Sequence, residues 1–553
     1  MSDSATIVFR RGTVVDGTGA PGELRDLVVI DGRVADTTEV PADAIELDAT
    51  GCIVAPGFID IHTHYDAQVF WDPALTPSSF HGVTTVVAGN CGFSIAPTRP
   101  DHREVIAKTL ENVEDMDVAS LAEGIPWDFE TFAEYLGSVE RRGTDLNFAA
   151  YVGHTPLRLY VMGTDAYHRA ATIDEISEMR RVLRAALEAG AVGFATSFAP
   201  THRGMDGMPI PSRVASKDEV LALLEEIKDW GRGVVGITPG GGWTIDELYE
   251  LQPKIGVPIT YTALLSSPGG EHRKRIQTHQ AGVLAGANVW PQVSPRPLTF
   301  SFQMNDPFPL NACDAFGALM TASPAQRQAA YADADFVARA EQAIDRMTAL
   351  RPRFDTYELA GTAEQPSVDG QSLTELAARQ GLSPLATLLA VAAENTDLWV
   401  RAIAANDDAD EVATILSTEH CALGLSDAGA HAGLLCDAPQ ATDFLGRWVR
   451  DRALMPIEEA VRRLTSAQAD LFGLEGRGRL TPGSAADVVV FDPATIDPGP
   501  ITRVRDFPAN AERLTAASPT GVRHVLVNGV PIRRDGVQLD CSAHRPGQIV
   551  TSS

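Results

Sequence analysis

The sequence predicts an α/β protein, a TIM (β/α)8 barrel joined to a small β-sandwich domain assembled from both ends of the chain. Three observations lead there. Strand and turn segments occupy both termini, apolar strands alternate with helical stretches between them, and those alternating strands number eight. At the front, Ile7-Val-Phe-Arg-Arg-Gly-Thr-Val-Val15 and Asp26-Leu-Val-Val-Ile30 read as strands, with Asp16-Gly17 and Asp31-Gly32 as their turns. Residues 486–491, 522–529 and 530–536 repeat that texture at the far end, with Asn-Gly and Asp-Gly turns and no helical pattern between the last two. Residues 1–55 and 476–553 are therefore assigned to the small domain, and 56–475 to the barrel.

Barrel strands are placed at 57–62, 82–88, 147–152, 190–196, 233–237, 258–262, 287–290 and 421–425, with the active site expected at their C-terminal ends. Residues from about 295 to 415 are too many for a loop and include helical stretches such as Pro324-Ala-Gln-Arg-Gln-Ala-Ala-Tyr331, so they form a lid-like insertion. Its Phe300, Phe302, Phe308 and Phe316 suit either a small core or a substrate pocket.

Composition excludes several classes. At 553 residues and 44% hydrophobic, the chain can bury an extensive core. Its formal charge of −28 repels nucleic acid and anionic membranes. No apolar run reaches membrane-spanning length, and Met1-Ser-Asp-Ser-Ala lacks the basic start of a secretion signal. Six scattered cysteines form neither a disulfide framework nor a C-x-x-C knuckle, which fits a reducing cytosol. A cytoplasmic homo-oligomer acting on a small molecule is expected, with no nucleic-acid or membrane partner.

The chemistry is concentrated at the strand ends. His62-Thr63-His64 follows the apolar run Ile53-Val-Ala-Pro-Gly-Phe-Ile-Asp-Ile61, and a period of two places both imidazoles on one side, about 7 Å apart along the backbone, within reach of one divalent ion. The segment Pro56-Gly-Phe-Ile-Asp-Ile-His-Thr-His64 resembles the first-strand signature of the amidohydrolase superfamily. Ala88-Gly-Asn-Cys91-Gly-Phe-Ser94 resembles the second-strand motif of its N-acyl-D-amino-acid deacylase branch, in which a cysteine thiolate binds metal where many relatives use a carbamylated lysine. None of Lys108, Lys217, Lys228, Lys254 and Lys274 ends a predicted strand, so Cys91 is the better candidate for the anionic ligand that the resemblance implies. Leu423-Gly-Leu-Ser-Asp427-Ala-Gly-Ala-His431 resembles the eighth-strand motif, implying that Asp427 binds metal and acts as general base; His431 is expected to orient or contact substrate. Tyr151-Val-Gly-His154 resembles the third-strand pattern, so His154 either binds the substrate carbonyl or closes a turn.

The resemblance spans nearly the whole chain but fails at informative places. That branch carries metal-binding histidines at the ends of strands five and six, where this chain has Thr238 and Ala263, so one ion is expected rather than two. Zinc suits the thiolate, with Mn or Fe as alternatives. Leu265 replaces a basic residue, and the seventh strand reads Trp290-Pro291-Gln292. An apolar leucine gives a carboxylate nothing to pair with, so Tyr261 and Trp290 are expected to hold a neutral amide, lactam, urea or carbamate, unless Arg296 or the His202-Arg203 pair restores anion binding. The implied function is metal-dependent hydrolysis of a non-peptide C–N bond by metal-activated water. Its alternatives are a catalytically inactive binding or assembly protein and a metal-dependent decarboxylase.

Overall fold

The computed structural model describes residues 6–37, 39–347, 351–361 and 370–553. The opening Met1-Ser-Asp-Ser-Ala segment lies outside them. Strands from the two chain ends share one nine-stranded sheet. Its seam is Ile53–Pro56, which runs parallel to Ile7–Val14 on one side and antiparallel to Val488–Phe491 on the other, with Ala55 opposite Val489. Alternation explains why this seam is apolar on both faces. Val54, Val488, Val490 and Leu526 enter the small domain's own core, while Ile53, Ala55, Val489, Phe491 and Val525 pack into the large central core. Burying each such valine or phenylalanine contributes about 1.5–3 kcal/mol, so the seam fixes the small domain against the start of the barrel. The terminal strands expected to form the small β-sandwich domain are thus joined along one continuous hydrogen-bonded path.

Directly after the seam come the eight parallel strands: Phe58–Asp60, Val83–Ala88, Asn147–Ala150 continued by Val152–Gly153, Gly193–Ser197, Val234–Thr238, Ile259–Tyr261, Val289–Val293 and Ala422–Leu423. All eight fall where the apolar runs place them, the first three pairing in one parallel sheet and the third strand's continuation and the remaining five in a second. The ends of the first and eighth strands meet through a parallel bridge between Thr63 and Ala428, with the His64 N–H donating to Ala428 O at 2.7 Å.

The insertion leaves and returns on adjacent antiparallel strands, Leu298–Gln303 and Trp399–Ala405. It contains a four-stranded sheet as well as the expected helices, among them Pro324–Tyr331, Ala334–Asp345 and Pro384–Glu394. Its core is its own, built on Phe302, Phe316, Tyr331, Phe336 and Leu388. The four phenylalanines divide: Phe302 and Phe316 are buried in that core, whereas Phe300 and Phe308 are half-buried and line a cavity at the barrel mouth. Among the described residues no single helix is long and apolar enough to cross a membrane.

Candidate metal centre and active site

The first two strand ends are stitched together before any side chain meets an ion. Asn90 donates from Nδ2 to Val87 O (2.9 Å), Ile61 O (3.1 Å) and Thr63 O (3.4 Å), and the Gly89 N–H donates to Asp66 Oδ2 at 2.9 Å. The turn that follows needs left-handed backbone at Gly89, Cys91 and Gly92. A Cβ on Gly89 would lie 2.7 Å from Tyr151 O, and one on Gly92 would lie 2.9 Å from Thr196 Cα, so only glycine fits at both. This turn brings Cys91 Sγ to 3.5 Å from His62 Nε2. The loop after the eighth strand is also unusual, because Leu425, Asp427 and His431 all adopt positive φ at a cost of about 1–3 kcal/mol each. It places Asp427 Oδ1 2.9 Å from His62 Nε2 and 3.6 Å from His64 Nε2.

His62, His64 and Cys91 offer ligand atoms within 4.8 Å of one another, and Asp427 adds an oxygen close to both imidazoles. Gln292 Oε1 accepts from His62 Nδ1, so Nε2 is the nitrogen that faces Cys91 and Asp427. Burial pushes the Cys91 thiol up, but the adjacent His62 and His64 imidazoles outweigh it and bring it down to about 6. Burial opposes protonation of His62, yet Cys91 and Asp427 raise it to about 10. His64 is likewise raised against the effect of burial, chiefly by Glu114, and Asp427 is held well below the usual carboxylate range by both imidazoles despite its burial. A thiolate, a carboxylate and two imidazoles on one point form a donor set that fits a single divalent ion. The buried His64 Nδ1 has no hydrogen-bond partner among the described residues, the nearest acceptor being Glu114 Oε1 at 3.6 Å.

Beside this cluster lies a cavity of about 280 Å3 between the barrel mouth and the insertion, and Asp427, His202, Arg203 and His431 all line it. Arg203 donates to Gly207 O at 3.2 Å and has no carboxylate partner among the described residues. His431 lies against Phe308, ring centroids 5.6 Å apart, and its Nε2 is 3.5 Å from Glu114 Oε2. Glu114 was not singled out by the sequence reading. The available signal was its position one turn beyond Leu110 on the apolar stripe of helix Arg103–Glu114, where a carboxylate is out of place. Burial raises Glu114 to about 8, moderated by His64.

Four other expected residues are not brought to the cluster. His154 is fully buried, its Nδ1 at 2.8 Å from Thr196 Oγ1 and its Nε2 at 2.9 Å from Glu219 Oε1, so both ring nitrogens are taken in a network that also contains Arg158. Tyr261 points outward into the helical layer beside Tyr249. Trp290 donates to Asn288 at 2.6 Å and meets His420 in a tilted ring contact with centroids 5.1 Å apart; His420 precedes the eighth strand, which places Trp290 away from the strands' C-terminal ends. Arg296 is tied to Asp437 at 2.7 Å and Asp443 at 3.4 Å and does not line the cavity.

Known proteins resemble this chain along nearly its whole length. A model described as the amidohydrolase family matches residues 46–533. N-acyl-D-glutamate deacylase of Alcaligenes xylosoxydans xylosoxydans is 30% identical over 570 residues, covering 100% of this chain and 97% of that protein. D-aminoacylase of the same organism is 28% identical over 555 residues, covering 95% and 94%. Among solved structures, a D-aminoacylase studied for its binuclear metal centre superimposes with a TM-score of 0.68 at 26% identity, over 99% of both chains. N-acyl-D-glutamate deacylase from Bordetella bronchiseptica, complexed with zinc and a phosphonate inhibitor mimicking the tetrahedral intermediate, does so with a TM-score of 0.67 at 28% identity, also over 99% of both.

Proposed function

This chain belongs to the amidohydrolase family, and from that premise we propose that it deacylates an N-acyl amino acid using one zinc ion held by His62, His64, Cys91 and Asp427. It is a metal-dependent amidohydrolase acting on carbon–nitrogen bonds other than peptide bonds. When bound, the ion supplies Lewis acidity and lowers the pKa of water. The chain's own residues do the rest. Asp427, an ionised carboxylate at the edge of the cavity, accepts a proton from water and returns it to the leaving amine. Gln292 holds His62 in the tautomer that leaves Nε2 free. A preserved donor set of this kind argues against the non-catalytic alternative, because unpaired polar groups buried without an ion are costly.

The observation that carries the substrate reading is Arg203, which reaches the cavity shared with Asp427 and pairs with no carboxylate among the described residues. Leu265 and Trp290 predict a neutral substrate, but that expectation was conditional on Arg203 staying out. A guanidinium provides planar paired donors for a carboxylate, and the apolar Leu298, Phe300, Phe308 and Ile403 accommodate the rest of the molecule. The test is the ratio of kcat/KM for N-acetyl-D-methionine and its neutral carboxamide. Preference for the acid, reduced in Arg203→Met, is expected; faster turnover of the carboxamide would overturn the carboxylate reading and restore the neutral one. We further propose that the enzyme is a cytoplasmic homo-oligomer with only small-molecule partners, with domain boundaries at 56 and 475. Its six cysteines are all free, as a reducing compartment requires.

A further inference from the structure

His202 and Arg203 are adjacent, yet their surroundings equip them for different tasks. Arg203 is a cation without a carboxylate partner among the described residues, whereas His202 is a neutral ring locked in place. Ser197 Oγ lies 2.7 Å from His202 Nδ1. Phe93, two residues beyond Cys91, meets the imidazole in an edge-on contact with ring centroids 5.2 Å apart. The backbone is fixed as well, since the His202 N–H donates to Ala199 O at 3.1 Å and Arg213 donates to His202 O at 3.0 Å.

Hydrogen-bond bookkeeping around Ser197 assigns the tautomer. Ser197 is fully buried, and its Oγ already accepts from the Ala199 N–H at 3.2 Å. Its own O–H has one acceptor among the described residues, His202 Nδ1. A proton on Nδ1 would leave that buried hydroxyl without an acceptor, so the ring proton belongs on Nε2. Burial, reinforced by His431 and His64, lowers His202 to about 3 and keeps it neutral. His202 lines the same cavity as Asp427.

We propose that His202 is a catalytic residue whose Nε2–H donates to the carbonyl oxygen of the scissile amide as that oxygen gains negative charge, with Ser197 the positioning residue that fixes the donor tautomer. This role rests on the amide-hydrolysis reading above. It is separate from carboxylate recognition by Arg203, because the group it stabilises exists fully only in the transition state.

The experiment uses the metal-loaded full chain with N-acetyl-D-methionine and its neutral carboxamide as probes. His202→Ala should lower kcat about 10²–10³-fold, the range for losing one such donor, with little change in KM and to the same extent for both probes. His202→Gln, which keeps an N–H donor, should recover part of the loss. Nitrogen-15 spectra near neutral pH should show a protonated Nε2 and a bare Nδ1 on His202, and Ser197→Ala should shift that population toward the Nδ1–H form. A rise in KM confined to the acid would overturn the role and make His202 part of the carboxylate clamp. An unchanged kcat, or a proton found on Nδ1 in the wild type, would overturn it outright, whatever happens to the stability of the alanine variant. Wild-type protein that hydrolyses neither probe nor any other amide would overturn the functional reading and this role with it, whereas an active wild type beside an unaffected variant overturns this role alone.

Discussion

Asp427 stands between two imidazoles, and the same contacts that suit it to a metal also keep it ionised as an acceptor for the proton of the attacking water. Asp427→Asn retains the shape and removes the basicity. Turnover should fall by about 10²–10⁴-fold with the fold intact, and near-normal turnover would exclude Asp427 from the proton transfer. Loading of the ion carries a second prediction at this scale. Without the ion, Cys91 at about 6 is a thiolate at neutral pH, while His62 at about 10 and the raised His64 are protonated. Coordination needs both Nε2 lone pairs, so binding near pH 7 should release about two protons. The sign follows. Affinity should rise with pH through the neutral range as those protons become easier to remove, and fall steeply below about 6 as Cys91 takes one up. Calorimetry in buffers of different ionisation enthalpy reads the proton count directly; an enthalpy independent of buffer would contradict this charge assignment.

The strand ends and their turns, more than isolated side chains, position the site, and one buried element shows how a plausible histidine can serve the scaffold instead. Helix Lys217–Trp230 begins with Ser216 accepting from the Glu219 N–H, and this start delivers the Glu219 carboxylate to both His154 and Arg158 beneath the barrel mouth. Arg158 is fully buried and also donates to Arg169 O at 2.9 Å. Glu219→Ala would strand that guanidinium without its counter-charge, which should cost about 3–5 kcal/mol in chemical denaturation. His154→Gln should lower stability by only about 1–3 kcal/mol and leave kcat near wild type. A folded, metal-loaded His154→Gln protein with kcat reduced by orders of magnitude would return His154 to the chemistry.

At the scale of the whole molecule, the parts legible in the sequence are those with a short repeat. Eight apolar strands, the His62-Thr63-His64 spacing and the Asn-Gly and Asp-Gly turns of the terminal sheet are each written within a few residues. Side-chain direction was less legible, because residence near a strand end does not say which face a residue takes: Tyr261 turns toward the helices, and Trp290 sits near the wrong end of its strand. Glu114 was hidden for a different reason, since it reaches His64 from a helix in the connection between the second and third strands, well separated from it along the chain. The ion count joins both levels. Strand Val234–Thr238 ends in threonine, and beyond Ile259–Tyr261 the chain offers Thr262 and Ala263, so neither contributes an imidazole. Among the described residues the one cluster of histidine, cysteine and carboxylate donors close enough to share an ion is built on His62, His64 and Cys91. Cys91 can bridge toward a second position, but a bridging thiolate alone does not hold a second ion when no imidazole or carboxylate completes it. Protein purified from metal-supplemented medium should therefore contain about one tightly bound divalent ion per chain, and its removal by chelation should abolish turnover while the large central core keeps the secondary structure. Elemental analysis per chain, paired with circular dichroism before and after chelation, decides it; two full equivalents lost together with activity would mean that ligands beyond these four serve the barrel mouth.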